Sequence, residues 1–359
     1  MSDVLVLGAG LVAGPLVSYL LGVDGFHVTV ASRTVSKAER LVAGAANGAA
    51  RRLDVTLAEA VEELVSAADL AISLLPYAYH PMVARLCVKH GIPMVTTSYV
   101  KEEMQALDGP ARDAGVILLN EIGVDPGIDH MSAMAVIDGL RAEGLPLVGF
   151  TSNTGGLPAP EANTNPLGYK FSWAPRGVLL AGRNAARYLR DGQAVDIPGA
   201  ELFTHHWTSE VEGFGTLEVY PNRDSIPYIE RYGITGIRDM FRGTLRYPGW
   251  CETMAAVAAL GLLDDAPRDD LSGRAYADLL AECVGATGGD LEAKIAAFLP
   301  VDRDGAVIAR LRWLGLFSDE AIPEGTPTLL DALAHAMLVR MRYAPGERDM
   351  LVMQHEFLV

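Results

Sequence analysis

Gly8-Ala9-Gly10-Leu11-Val12-Ala13-Gly14 constrains this chain more than any other stretch. It follows the apolar run 4–7 at once and opens onto 11–21, whose apolar residues have helical spacing. Gly8 permits a tight turn, Gly10 lets a pyrophosphate approach the backbone, and Ala13 or Gly14 lets the helix pack closely on the strand. Phosphates then sit on the positive end of the helix. The alternative is a tight turn that binds nothing, but a second β-like run at 26–30 completes a strand–helix–strand unit and favours a dinucleotide.

More short apolar runs follow at 70–74, 94–97 and 116–119, separated by helical stretches at 36–42, 57–67, 79–89 and 101–114. Strands buried on both faces and alternating with helices predict a parallel α/β sheet. The end of the second run decides the nucleotide. A site for NAD carries Asp or Glu there to grip the ribose hydroxyl. This chain has Ala31-Ser32-Arg33-Thr34, in which Arg33 pairs with a 2′-phosphate and two hydroxyls assist, so NADP is favoured over NAD. The competing view of Arg33 is a solvated residue opening the next helix.

Beyond Asn120-Glu121-Ile122-Gly123-Val124-Asp125-Pro126-Gly127 the pattern changes. A helix is expected at 129–142, then β-like runs at 148–152, 216–220 and 243–247 among Gly- and Pro-rich loops. Helices are expected at 254–263, 272–283, 291–298, 304–314 and 329–341, and the last run, 350–359, alternates weakly as a strand does.

Half of the 359 residues are hydrophobic and 21% are charged, as in ordinary globular domains, and the length calls for two or three of them. A net charge of -16 argues against nucleic acid, which needs a basic face. It also means that a carboxylate-bearing substrate must be held by local arginines. The three cysteines, Cys87, Cys251 and Cys283, are odd in number and lack a Cys-x-x-Cys spacing. A disulfide framework and a cysteine zinc site are not expected, and a cytoplasmic compartment fits. No signal sequence and no membrane span is expected.

Several long segments resemble the NADP-dependent, L-glutamate-forming saccharopine dehydrogenase (saccharopine reductase) family. They include Gly8-Ala9-Gly10-Leu11-Val12, Ala31-Ser32-Arg33-Thr34, Ile72-Ser73-Leu74-Leu75-Pro76-Tyr77 and Val95-Thr96-Thr97-Ser98-Tyr99-Val100. Asn120 to Gly127, Gly155-Gly156-Leu157-Pro158-Ala159-Pro160-Glu161, Tyr220-Pro221-Asn222-Arg223-Asp224-Ser225 and Arg242-Gly243-Thr244-Leu245-Arg246-Tyr247 continue the match. The resemblance implies three parts: a Rossmann-like parallel-sheet domain (1–128), a mixed-sheet α/β domain for substrate and dimerisation (129–252 with 343–359), and a helical domain (253–342). It implies a homodimer that oxidises the secondary amine of saccharopine with NADP, or runs the reverse condensation, in lysine metabolism. A carboxyspermidine-type dehydrogenase and a non-catalytic NADP-binding protein are the alternatives.

Carried over by position, the resemblance places NADP against Ala9, Gly10, Leu11, Val12, Ser32, Arg33, Thr34, Asp54, Val55, Leu75, Thr97 and Ser98. Val124, Asp125 and Pro126 line the nicotinamide end, with Ser172 nearby. Substrate meets Ser98, Tyr99, Asp125, Arg223, Thr244, Leu245 and Arg246. The family commonly has a cysteine where this chain has Thr154, so a catalytic thiol is excluded there. Its members also run on past the position of Val359, and the resemblance implies that this continuation returns to the nucleotide domain. An uncovered apolar strip is therefore expected on that domain.

Asp125 and Tyr99, each just past an expected strand end, are the catalytic candidates. A carboxylate there pairs with a cationic amine or shuttles a proton, and the competing role is a helix cap, for which Asp129 serves equally. Tyr99 has packing as its competing role. Arg223 and Arg246 supply two guanidinium forks for the substrate carboxylates. His130 and the pair His205-His206 read as capping or surface residues, and no metal is expected. Glu161 and Lys170 either brace a loop by a salt bridge or are solvated. Tyr169, Phe171 and Trp173 either wall a ring or pack in a core.

Overall fold

A computed structural model describes all residues, Met1 to Val359, and divides them into two compact units, Met1–Ala133 and Met134–Val359. In the first unit, strands β1 (Ser2–Leu7), β2 (Phe26–Ser32), β3 (Gly48–Arg52), β4 (Leu70–Ser73), β5 (Met94–Thr96) and β6 (Leu118–Leu119) form one sheet. All pairs are parallel, in the order β3-β2-β1-β4-β5-β6. The helices between them are α1 (Ala13–Leu21), α2 (Val35–Val42), α3 (Ala58–Ser66), α4 (His80–His90), α5 (Glu102–Gln105) and α6 (Asp108–Asp113).

The alternation of side chains along β1 builds two apolar layers. Val4 and Val6 pack with Val17 and Leu20 of α1 and Ala38 of α2. Leu5 and Leu7 face the other way, onto Val61 and Val65 of α3 and Val83 and Ala84 of α4. Each buried Val or Leu contributes about 1.5–3 kcal/mol, so β1 is the keel of this unit. Because β4 lies on the opposite side of β1 from β2, the chain reverses its direction of winding at β1, and a crevice opens at the carboxyl ends of the strands there.

Helix α7 (Ile128–Ala142) leads into the second unit. Its strands are β7 (Gly149–Pro158), β8 (Ala186–Arg190), β9 (Gln193–Ile197), β10 (Trp207–Val211), β11 (Gly215–Pro221), β12 (Asp239–Arg246) and β13 (Asp349–Leu358). They pair as β10-β11-β12-β7-β13, with β8 joining β12 and β9. Only β12 and β7 run parallel, so the sheet is mixed. The final strand lies antiparallel along all of β7, from Asp349 opposite Pro158 to Leu358 opposite Gly149. Helices α8 (Pro175–Ala181), α9 (Pro227–Arg231), α10 (Trp250–Ala259), α11 (Tyr276–Cys283), α12 (Leu291–Phe298), α13 (Ala306–Trp313) and α14 (Leu329–Arg340) complete it. Leu157, Leu217 and Leu245 of the sheet share one core with Met254, Leu279, Ile308, Leu333 and Met337 of the helices.

Some local expectations are corrected, and some alternatives left open by the sequence are decided. The single helix expected at 101–114 is two, α5 and α6, because Pro110 has no amide proton to offer and its ring crowds the preceding turn. Helix α10 begins at Trp250, earlier than expected, where the buried Glu218 carboxylate accepts from the Gly249 and Cys251 amides at 2.7 and 2.8 Å. Glu161 pairs with Arg348 at 2.6 Å, whereas Lys170 is buried and holds both oxygens of Glu347 at 2.6 and 2.7 Å. Tyr169 and Phe171 are core residues, and Trp173 is exposed. No helix is long and apolar enough to cross a membrane.

Candidate active site

The turn between β1 and α1 has the geometry that a phosphate needs. Gly8 has φ +113°, and a Cβ there would meet the Leu74 carbonyl oxygen at 3.0 Å, so only glycine sits easily. A Cβ on Gly10 would meet nothing within 4 Å, which leaves the space above that backbone open. Ala13 is fully buried against the sheet. Helix α1 has no side-chain cap and no acidic residue in its first turn. The Ala13 amide donates to the Gly10 carbonyl at 3.2 Å and Pro15 has none to offer, so the Leu11, Val12 and Gly14 amides are the ones left for an anion. These features fit a pyrophosphate. Leu11 and Val12 are exposed at the rim.

Ser32 ends β2, and Arg33 and Thr34 lead into α2. Thr34 is the N-cap of α2 but its hydroxyl caps nothing, and the first turn again lacks an acid. Arg33 is exposed. Asp54, also exposed, keeps its carboxyl below the usual range mainly through hydrogen bonds from Thr56, with Arg33 and Arg52 adding attraction. A basic edge with unused hydroxyls and an uncapped helix is chemistry for a 2′-phosphate. Val55 and Leu75 are half-buried nearby along the sheet's carboxyl edge.

Past β5 the chain carries Thr97, Ser98 and Tyr99, and the loop after β6 carries Val124, Asp125 and Pro126. The structure brings the two catalytic candidates together: the Tyr99 hydroxyl donates to Asp125 Oδ1 at 2.6 Å. The Asp125–Pro126 peptide is cis, and the Gly123 amide donates to the Pro126 carbonyl at 2.8 Å, closing the loop on itself. Asp129, the rival capping residue, is buried and accepts from the Gly127 amide at 2.6 Å. His130 lies 3.0 Å from Glu121, whose other oxygen accepts from the Val100 amide at 2.9 Å. That set joins the two loops and gives His130 a structural task.

Sequence reasoning missed His80. It is buried at the start of α4, with Nδ1 2.9 Å from Ser73 Oγ and Nε2 2.8 Å from Ser98 Oγ. A lone histidine opening an apolar helix gives no signal of this in the sequence.

The remaining candidates belong to the second unit. Arg246 ends β12 and is 7% exposed. Its guanidinium lies 4.9 Å from the Tyr169 ring centroid and 5.5 Å from that of Trp250, so two aromatic faces fix its plane. Its Nη1 donates to the Leu245 carbonyl at 2.8 Å, while its buried Nε has no hydrogen-bond partner. Thr244 is half-buried beside Thr154 of the parallel neighbour β7, and the Thr154 hydroxyl is likewise buried without a partner. Unused donors beside a fixed cation suit a carboxylate. Leu245 points into the core. Arg223 lies just past the end of β11, as expected, in a bend with φ +57°. Ser172 is half-buried in the loop beside Trp173.

Comparison with known proteins agrees with this geometry. The family model of the saccharopine dehydrogenase NADP binding domain matches residues 4–119, and that of the saccharopine dehydrogenase C-terminal domain matches 123–359. The chain is 42% identical over 370 residues to the saccharopine dehydrogenase [NADP(+), L-glutamate-forming] of Schizosaccharomyces pombe, covering 100% of this chain and 82% of that protein. It is 38% identical over 367 residues to the mitochondrial alpha-aminoadipic semialdehyde synthase of Bos taurus, covering 99% of this chain but 39% of that protein. The solved apo saccharopine dehydrogenase (L-Glu forming) from Saccharomyces cerevisiae superposes with a TM-score of 0.84 at 37% identity, over 99% of this chain and 81% of that one. With both of its units matched and its nucleotide cradle intact, the chain belongs to the saccharopine dehydrogenase family.

Proposed function

We propose that this protein is an NADP-dependent, L-glutamate-forming saccharopine dehydrogenase, an oxidoreductase of lysine metabolism. The observation that carries this reading is the Tyr99–Asp125 pair at 2.6 Å in the same unit as the phosphate cradle, in a chain whose relatives at about 40% identity bear that name. Bound NADP supplies the hydride acceptor. The secondary amine of saccharopine loses hydride from the carbon that becomes the aldehyde and a proton from nitrogen. Water adds to the resulting imine, and the C–N bond breaks to give L-glutamate and 2-aminoadipate 6-semialdehyde.

Within this reading the Tyr99–Asp125 pair keeps a proton at the phenol oxygen and an acceptor at the carboxylate. Asp125 attracts the cationic amine and takes up its proton, and Tyr99 holds the carboxylate in one direction. Arg246, with Thr244 beside it, anchors one carboxylate of the substrate, and Arg223 another. The geometry around Gly8 to Val12 and Ser32 to Thr34 supports the cofactor contacts. We read 1–128 as the nucleotide domain, 129–252 with 343–359 as the substrate and dimerisation domain, and 253–342 as the helical domain. A cytoplasmic homodimer completes the proposal: the free thiols of Cys87, Cys251 and Cys283 support a reducing compartment, and the family resemblance supports the dimer.

The test is the growth of reduced-nicotinamide absorbance with saccharopine and NADP, run beside NAD and beside other secondary amines. No reduction with saccharopine, while another amine is oxidised, removes the substrate assignment. Asp125→Asn should depress turnover with saccharopine by at least about tenfold and leave NADP affinity nearly unchanged, since it removes a charge without changing shape. Equal turnover would make Asp125 structural.

A further inference from the structure

His80 is 3% exposed, and burial pushes its imidazole down to about 4. At neutral pH the ring is therefore uncharged and carries one N–H. Nδ1 faces Ser73 Oγ at 2.9 Å, and Nε2 faces Ser98 Oγ at 2.8 Å and Thr96 Oγ1 at 3.2 Å. The Ser98 amide donates to Thr96 Oγ1 at 3.4 Å. One ring thus ties the end of β4, the end of β5 and the start of α4. Ser73 and Thr96 are buried, whereas Ser98 is half-buried, so Ser98 is the only member of the set that reaches the surface of the crevice. Ser98 precedes Tyr99, the donor to Asp125.

We propose that His80 is a positioning residue that orients the Ser98 hydroxyl as a hydrogen-bond donor toward a carboxylate of the substrate. The inference rests on the functional reading above, together with the family resemblance, which sets Ser98 against the substrate. The argument is one of proton count. A hydroxyl has a single proton. If bare Nε2 accepted it, Ser98 would present only lone pairs to the crevice, and lone pairs repel a carboxylate. If Nε2 carries the ring proton, it donates to Ser98 Oγ, and the serine proton is released outward. Nδ1 is then the bare nitrogen and accepts from Ser73, which closes the inner end. Ser98 is nearer to Nε2 than Thr96 is, by 2.8 against 3.2 Å, so it is the better acceptor for that proton. A ring that only filled a polar hole would tie α4 to the sheet equally well with either nitrogen protonated.

Two experiments separate these. Nitrogen-15 spectra of the labelled, unaltered protein report which ring nitrogen of His80 is protonated. A proton on Nε2 is expected, and a proton on Nδ1 overturns the proposal. Second, His80→Asn, His80→Gln, Ser98→Ala and the double variant His80→Asn with Ser98→Ala are compared by saccharopine KM, kcat, NADP Kd and thermal midpoint. A glutamine amide reaches the place of Nε2, and an asparagine amide only that of Nδ1. His80→Asn is expected to raise the saccharopine KM about tenfold, the worth of a hydrogen bond to a charged group. NADP Kd should move far less, and His80→Gln should recover most of the KM. The double variant should be no worse than Ser98→Ala, because both remove one contact. If His80→Asn lowers the thermal midpoint but leaves KM at the parent value, the ring is structural and the proposal fails alone. If Ser98→Ala itself leaves KM unchanged, the reading that Ser98 meets the substrate has failed, and the proposal goes with it.

Discussion

Arg33 and His80 represent the two ways a single side chain acts here, one by carrying a charge at the surface and the other by refusing one in the interior. Arg33 is exposed and stands close enough to Asp54 to draw its carboxyl down. In the proposed reading its task is the 2′-phosphate, so Arg33→Ala should weaken NADP binding by about 1.5–3 kcal/mol, tenfold or more, and NAD binding hardly at all. Titration of both nucleotides checks this, and equal losses would refute the clamp. His80 acts through its neutral form. Its folded value of about 4 lies below the ordinary 6.5, so the unfolded chain binds the extra proton first as the solution is acidified. The native state keeps the full benefit of a neutral His80 above pH 6.5 and loses it as the pH falls through 4. The loss reaches as much as about 3 kcal/mol. The stability difference between the parent and His80→Gln should therefore shrink between those limits, as followed by urea unfolding. A difference independent of pH would mean that the ring is not held neutral.

At the scale of elements, the sequence was legible wherever burial imposed a period. The runs before Gly8 and around 26–30, 70–74 and 94–97 fell on β1, β2, β4 and β5, and the expected helix at 291–298 is α12. The elements that were missed have weak apolar patterns. Strand β3 reads Gly-Ala-Ala-Arg-Arg and lies at the sheet edge, where nothing forces alternation. Strands β8 and β9 did carry a signal: Asp191-Gly192, with φ of +50° and +75°, is the two-residue turn that joins a hairpin. The site followed the same division. Gly8, Gly10 and Arg33 announce themselves because their chemistry depends on local chain geometry. The contact of Ser73 with His80 and Ser98 exists only because three elements meet, which no spacing encodes. Packing between neighbours is similarly silent in the sequence. Gly155 of β7 looks replaceable, yet a Cβ there would lie 2.7 Å from both the Leu245 side chain and its carbonyl oxygen. Gly155→Ala should cost about 1–3 kcal/mol through overpacking, read as a lower urea midpoint. An unchanged midpoint would mean that β12 yields without cost.

At the scale of the whole molecule, the two units have separate cores. Val4, Leu5 and their partners close the layers of the first, while a single cluster from Leu157 to Met341 fills the second. Regions with their own cores open to exchange in their own units. A ligand stabilises only those openings that destroy its site, by RT ln(1 + [L]/Kd), which is about 2.7 kcal/mol at a hundredfold excess over Kd. The phosphate cradle and the Ser32-Arg33-Thr34 edge lie wholly within Met1–Ala133. NADP alone should therefore slow hydrogen exchange about a hundredfold in peptides from β1, β2 and β4. Slowly exchanging amides of α14, such as those from Leu333 to Met337, should keep their rates, because opening that helix need not disturb the cradle. Exchange mass spectrometry with and without saturating NADP measures both sets in one experiment. Equal slowing in α14 would show that the molecule opens as one cooperative body. Slowing in neither would remove the cradle as the NADP site.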